Sequence, residues 1–183
     1  MFNRLIALLF IILLSPVFLL VAIAILIEDG FPVFFKQKRV GVNYTFFPIY
    51  KFRSMKKNTP NVATHLLENP KQYLLKSGGT LRKLSLDELP NLINIIRGEM
   101  VFVGPRPALY NQDDLMVLRV AAGVEKLKPG ITGWAQINGR DEISLEEKVA
   151  YEKEYLQRKS FIFDLKIIVL TFTSVLMSKG VKH

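Results

Sequence analysis

Residues 85–92 read SLDELPNL, and within them Asp87 and Glu88 stand side by side, two residues ahead of Pro90. A carboxylate can attack phosphorus to give an acyl phosphate. A second carboxylate beside it can share a hard divalent cation with substrate phosphates. Cations stand close in sequence: Arg82 upstream, and Arg106 downstream inside Pro105-Arg106-Pro107. A planar guanidinium matches phosphate oxygens better than an ammonium does, and flanking prolines reduce the entropy lost in holding it. The structural alternative is a helix start, because Ser85-x-x-Glu88 spells a capping box. That leaves Asp87 without a role, and in a helix begun at Leu86 the proline would forfeit the bond to the Leu86 carbonyl. A helix begun at Pro90 instead leaves the pair in a non-helical lead-in, with Leu89 pushed extended by the proline. The carboxylates could then be aimed separately, one at a substrate and one at a metal. Local features leave capping and catalysis both open, and a surface salt bridge is the plainer reading of Arg106.

The bulk composition narrows the chemistry. With 183 residues the chain is long enough for one domain with a real core. Half of it is hydrophobic, with mean hydropathy +0.23, which points toward a membrane. There is no cysteine, which excludes disulfides and thiolate metal sites. The histidines are His65 and His183, too few for a His-rich zinc site or a histidine-based triad. The formal net charge of +9 suits an anionic partner: nucleic acid, acidic lipid or a phosphorylated substrate.

Leu5 to Ile27 is apolar except at Ser15 and Pro16. A cleaved signal peptide, a straight spanning helix and a re-entrant helix broken at Ser15-Pro16 all draw on this run. No small-residue cleavage site comes after it. Pro16 bends or breaks a helix by clashing with the Ile12 carbonyl, and the Ser15 hydroxyl is a local partner for a carbonyl so freed. Arg4 precedes the run, and Lys36, Lys38 and Arg39 lie beyond it. Both flanks stay cytoplasmic only if the segment turns back.

Farther along, Val33–Lys38 and Phe46–Phe52 read as a hairpin around Gly41-Val42-Asn43. The basic residues from Lys36 to Lys83 form a solvated face for anionic lipid, with a phosphate pocket among a few of them. Asn58–Gly79 reads as loop with one short helix around Leu66. Pro90–Arg97 is a helix closed by Gly98. A short strand at 101–103 leads into the stiff Pro-Arg-Pro loop, and Asp113–Glu125 is helical. Residues 127–140 (LKPGITGWAQINGR) read as a structured loop with little regular structure. Ser144–Lys159 is a polar helix with a Ser144–Glu147 capping box. Phe161–Met177 is an apolar helix about 17 residues long, suited to an interface or a core.

Taken together, the Ser15-Pro16 break, IYKFRSM (49–55), LRKLSLDELPNL (81–92), VGPRPAL (103–109), PGITGWAQINGR (129–140) and FDLKI (163–167) resemble the bacterial sugar transferases, the monotopic phosphoglycosyl transferases. The compact length is similar to the small, single-domain members. The resemblance implies transfer of a sugar 1-phosphate from a UDP-sugar to undecaprenyl phosphate, with release of UMP, as the first membrane step of glycoconjugate synthesis. It implies Asp87 as nucleophile and Glu88 in acid-base work, with both carboxylates tied to Mg²⁺. Arg82, Arg106 and Lys51 are implied to bind phosphate, and Ser15-Pro16 to break a re-entrant helix. Expected on this basis is an α+β fold: one compact, helix-rich domain with a small β-hairpin and interfacial amphipathic helices. Residues 1–28 would form the membrane helix, and 29–183 a catalytic part on the cytoplasmic face of the bacterial inner membrane. Two departures stand out: a single Arg4 where many members carry a longer basic amino terminus, and Asp141 after Arg140 where asparagine is common. The rival readings are a non-enzymatic basic module binding an anionic phospholipid membrane, and an ordinary glycosyltransferase releasing UDP. No nucleic-acid motif and no Asp-x-Asp metal motif after a strand are present, so nucleic acid is not an expected partner.

Overall fold

The computed structural model describes residues 1–60, 68–139 and 143–176. The expected helix around Leu66, and Arg140 and Asp141, lie outside the described residues. The apolar run is two helices, α1 (Phe2–Leu13) and α2 (Ser15–Asp29), bent by 62°. Pro16 has no N–H for the Ile12 carbonyl. The Ser15 hydroxyl donates to that carbonyl at 2.8 Å instead. No single described helix is long and apolar enough to cross a membrane, whereas the bent pair together meets that requirement by length and composition.

Each arm of the pair packs a different part of the chain. Ala7 of α1 sits with Phe47, Ile49, Leu92, Ile95 and Met100. Val21 and Ile25 of α2 sit with Val33, Phe52, Leu75 and Leu81. Between the arms runs an antiparallel hairpin, β1 (Phe34–Val40) and β2 (Phe46–Phe52), in register from Phe34 opposite Phe52 to Val40 opposite Phe46. Side chains alternate along a strand, so Phe47 and Ile49 reach one cluster and Phe52 the other. The arms keep a wide apolar outer surface, with Leu9, Ile12, Leu13, Leu19, Leu20 and Ile27 exposed.

The acids that end α2 tie it to later segments. Arg53, buried just past β2, donates to the Asp29 carboxylate and to the Pro32 carbonyl at 2.7 Å. Glu28 accepts from the Ser77 N–H at 3.0 Å, at the start of α3 (Gly78–Lys83). Helix α4 (Asn91–Arg97) stops at Gly98, which has φ 82. Its fully buried Asn94 donates to the Pro48 carbonyl at 2.7 Å and accepts from the Tyr50 N–H at 3.1 Å.

The second half of the chain corrects one expectation. Residues 127–140 are not mainly loop. They contain strand β4 (Gly130–Thr132), which runs parallel to β3 (Val101–Val103), and helix α6 (Trp134–Asn138). The glycines mark close backbone approach: a Cβ on Gly104 would run into the Lys128 carbonyl, and one on Gly133 into the Gly104 carbonyl. Helix α5 (Asp113–Ala122) ends at Gly123, φ 73, before the expected Glu125, and a 3₁₀ turn covers Val124–Lys126. Helix α7 (Leu145–Arg158) begins with the Ser144–Glu147 capping box. Helix α8 (Phe161–Leu176) buries Phe163 and Ile167 and exposes Phe161, Ile162, Leu165, Val169 and Phe172, so it is apolar on its buried and its exposed side alike, unlike the expected amphipathic helix. The whole is an α+β, helix-rich fold with a small antiparallel hairpin.

Alanine at position 16 would return an N–H to the Ile12 carbonyl and let α1 and α2 align. Spin labels on the exposed positions 5 and 20 should move apart in Pro16→Ala when measured by pulsed EPR. An unchanged distance would show that the packing of the two arms sets the bend.

Candidate active site

Asp87 and Glu88 lie in a 3₁₀ turn, Leu86–Glu88, between α3 and α4. This corrects the expected non-helical lead-in. Leu89 is right-handed helical, with φ −52 and ψ −39, and not extended. The turn's own bonds, Glu88 N–H to Ser85 O at 3.2 Å and Leu89 N–H to Leu86 O at 3.2 Å, outweigh the preference imposed by Pro90. The N–H that Pro90 lacks falls at the junction where the turn passes into α4. The Ser85–Glu88 capping box does not form: Ser85 has φ 55 and ψ 22, and its side chain makes no cap bond. Neighbours in a three-residue turn point about 120° apart. Asp87 accordingly points inward, 8% exposed, while Glu88 faces a cleft.

The structure gathers every charged side chain singled out around this pair. Lys51 reaches across from β2 and contacts Glu88 Oε1 at 2.6 Å, and Arg106 stands 3.7 Å from the same oxygen. Arg82, on the last turn of α3, interacts electrostatically with Asp87 and donates to Ser54 Oγ at 3.0 Å. Burial raises the Asp87 carboxyl from 3.8 to about 6; Lys51 and Arg82 oppose the rise, and Glu88 adds to it. Burial also lowers the Arg82 guanidinium from its ordinary value, with Asp87 opposing. Ser15 and Pro16 shape the helix bend and take no part in this charge cluster.

The loop that carries Arg106 is held from both sides. Arg119 of α5 forms a buried pair with Glu152 of α7, Nε to Oε2 at 2.8 Å, and donates from Nη2 to the Arg106 carbonyl at 2.9 Å. Arg39 of β1 donates from Nη1 to the next carbonyl, Pro107 O, at 3.0 Å. The backbone of the Pro-Arg-Pro loop is therefore fixed, while the Arg106 side chain stays 45% exposed.

Sequence reasoning missed Arg39, Asn91, Arg119 and Glu152. Arg39 and Asn91 line a small open cleft with Lys51, Glu88 and Arg106. In the sequence Arg39 is one more member of a basic run, and Asn91 is the residue after a helix-starting proline. Nothing local to either position sets it apart.

Among the described residues no three His, Cys, Asp or Glu side chains gather at one point. A closed protein cage for a metal is therefore not built from them. An adjacent Asp–Glu pair beside cationic phosphate binders is nonetheless a fitting donor set for a hard ion that takes its remaining oxygens from substrate phosphates and water. Asp87 and Glu88 are the residues that could hold one.

The family model described as bacterial sugar transferase matches residues 1–178. Similar proteins include the uncharacterized sugar transferase EpsL of Bacillus subtilis, 43% identical over 92% of this chain and 83% of that protein. The exopolysaccharide production protein ExoY of Sinorhizobium fredii is 40% identical over 98% of this chain and 85% of its own. The UDP-glucose:undecaprenyl-phosphate glucose-1-phosphate transferase of Escherichia coli is 38% identical over 95% of this chain, which spans 39% of that longer protein.

The position of Asp87 sets a stability test. A carboxyl moved from 3.8 to about 6 makes its ionised form unfavourable in the fold, by up to about 3 kcal/mol. The penalty is absent below about pH 3.8, grows as pH rises, and is complete above about pH 6. Asp87→Asn should therefore unfold at higher denaturant than the parent at pH 7.5, with the gap closing toward pH 4. A gap independent of pH would show that burial does not perturb this carboxyl. Glu152→Leu strands the buried Arg119 charge and should cost about 3–5 kcal/mol. Adding Arg119→Met should recover most of it, because the pair is then replaced by apolar volume. A double variant as unstable as the single one would show that the Arg119 bond to Arg106 O, and not the ion pair, holds these helices.

Proposed function

The chain belongs to the bacterial sugar transferase family, and from that premise we propose that it moves a sugar 1-phosphate from a UDP-sugar to undecaprenyl phosphate and releases UMP. The observation that carries this reading is a buried carboxylate, Asp87, flanked by Glu88 and within electrostatic reach of Lys51 and Arg82. The similar Escherichia coli protein is named for this kind of reaction with glucose.

In the proposed reaction an Asp87 oxygen attacks the phosphorus that bears the sugar. The bond from that phosphorus to the bridging oxygen breaks, and UMP leaves with the electron pair. Asp87 then carries the sugar phosphate as an acyl phosphate. An oxygen of undecaprenyl phosphate attacks the same phosphorus, the aspartyl bond breaks, and the carboxylate is regenerated as the polyprenyl diphospho-sugar departs. Burial keeps competing water from Asp87. Arg82, Arg106 and Lys51 offer positive charge to the phosphoryl oxygens, where positioning and charge compensation supply most of the rate. Lys51 and Arg106 also hold Glu88 in place beside the nucleophile. Mg²⁺, held by Asp87 and Glu88 together with substrate, would supply charge neutralisation to the diphosphate.

A membrane placement accompanies this reading. The apolar outer surface of the bent pair and the exposed face of α8 support a protein that enters one leaflet and returns, with its site at headgroup depth on the cytoplasmic face of the bacterial inner membrane. Anionic phospholipid would meet the basic residues that come after the apolar run.

The test is nucleotide release by detergent-purified protein given Mg²⁺, undecaprenyl phosphate and a panel of UDP-sugars. UMP should appear with at least one sugar, turnover should require the lipid, and Asp87→Asn should lose turnover while remaining folded. Release of UDP would indicate ordinary glycosyl transfer, and normal turnover by Asp87→Asn would remove Asp87 from the chemistry.

A further inference from the structure

The cleft beside Glu88 holds two buried polar atoms that have no partner among the described residues: Oδ1 of Asn91, a residue only 2% exposed, and Nε of Arg39. Both residues line the same open cleft as Lys51, Glu88 and Arg106. A buried polar group without a hydrogen bond is destabilising, and native structures keep few of them. Two on one cleft wall mark a place where a ligand completes the bonding.

The charge around the cleft specifies what kind of ligand. Arg39, Arg106 and Lys51 face a single lining carboxylate, Glu88. Arg39 is crowded enough that burial, and then the nearby charge of Arg106, lower its guanidinium to about 10, with Glu88 opposing. Such an excess of positive charge in a partly desolvated cleft suits a phosphate group. Asn91 adds a different demand. Its unpartnered atom is an acceptor, so it calls for an O–H or N–H donor on the ligand. A fully ionised polyprenol phosphate headgroup, with no hydroxyl next to its phosphate, would answer the arginines alone.

The structure assigns Arg39 and Asn91 to binding the nucleotide-sugar: the cleft takes a phosphate against Arg39 and Arg106 while a hydroxyl or imide N–H of the same molecule donates to Asn91 Oδ1. This rests on the proposed reaction for the identity of the molecule, though not for the chemistry of the cleft. Asn91 thereby favours the nucleotide-sugar over the ionised lipid phosphate, because the sugar, ribose and imide all offer a donor and the dianionic headgroup offers none. The phosphate and its neighbouring donor could belong to the nucleotide half or to the sugar half.

The experiment uses the full chain in detergent with two non-reacting probes, UMP and glucose 1-phosphate, and compares the parent with Asn91→Leu and Arg39→Lys by calorimetric binding. Leucine has the branched outline of asparagine and removes the unpartnered amide but is bulkier, so the fold of Asn91→Leu is checked by its thermal unfolding before binding is read. The folded variant should bind one probe about tenfold more weakly. Arg39→Lys keeps the charge and loses the fork, and should weaken the same probe. Loss confined to UMP places the nucleotide half in the cleft, and loss confined to glucose 1-phosphate places the sugar half. In turnover, KM for the UDP-sugar should rise in both variants while KM for undecaprenyl phosphate stays unchanged. The assignment is overturned if neither probe binds the parent, if both variants bind the probes as tightly as the parent does, or if both substrates lose kcat/KM equally. If no UDP-sugar yields UMP but a probe still binds in an Asn91-dependent way, the proposed reaction fails and the cleft assignment stands.

Discussion

One missing hydrogen-bond donor organises this chain. Pro16 offers no N–H to the Ile12 carbonyl, the Ser15 hydroxyl satisfies that carbonyl instead, and the apolar run divides into two arms. A straight helix could lie along one side of the hairpin. The bent pair reaches both sides, with α1 on the Phe47, Ile49 and Ile95 cluster and α2 on the Phe52, Leu75 and Leu81 cluster. Strand β2 is held between the arms, and the same alternation that sends Ile49 into the first cluster directs Lys51 toward Glu88. Arg53 and Glu28 then fasten the far end of α2 to the segments that carry the remaining cations.

The adjacent carboxylates show how turn geometry divides labour between identical functional groups. In the turn Asp87 goes inward, where desolvation raises it to about 6, and Glu88 meets Lys51 and Arg106 at the cleft. The surrounding cations hold Asp87 back from a larger rise, so it remains ionisable at neutral pH despite its burial. A buried, ionised, poorly hydrated oxygen among fixed positive charges is well placed for attack at phosphorus.

Signals contained within one or two turns are legible in the sequence. The Ser144–Glu147 capping box, the Gly98 stop and the hairpin around Gly41 all form where local chemistry puts them. The lead-in to Pro90 departs from expectation because a preference acting on one residue, Leu89, yields to two backbone bonds of a turn. Residues 127–140 depart because glycine serves both loops and close-packed strands, and only the partner strand tells them apart. Asp87, Glu88, Arg82, Arg106 and Lys51 are visible as charges near one another in sequence or through family resemblance. Arg39, Arg119 and Glu152 are not, since their contacts cross separations of 68 and 33 residues. Asn91 is hidden for another reason: its interest lies in a bond that its Oδ1 does not make among the described residues.

The glycine seam beneath the Pro-Arg-Pro loop has an evolutionary consequence. A side chain at Gly104 would strike the Lys128 carbonyl, one at Gly130 the Gly104 amide, and one at Gly133 the Gly104 carbonyl. These are backbone atoms at the ends of the paired strands, which cannot swing aside as a side chain can. The ground beneath the loop is thus closed to a side chain at three positions, of which Gly130 lines the cleft. Variation in this chain is channelled: the seam resists a side chain at three points, and the freedom to change belongs to the residues that surround it.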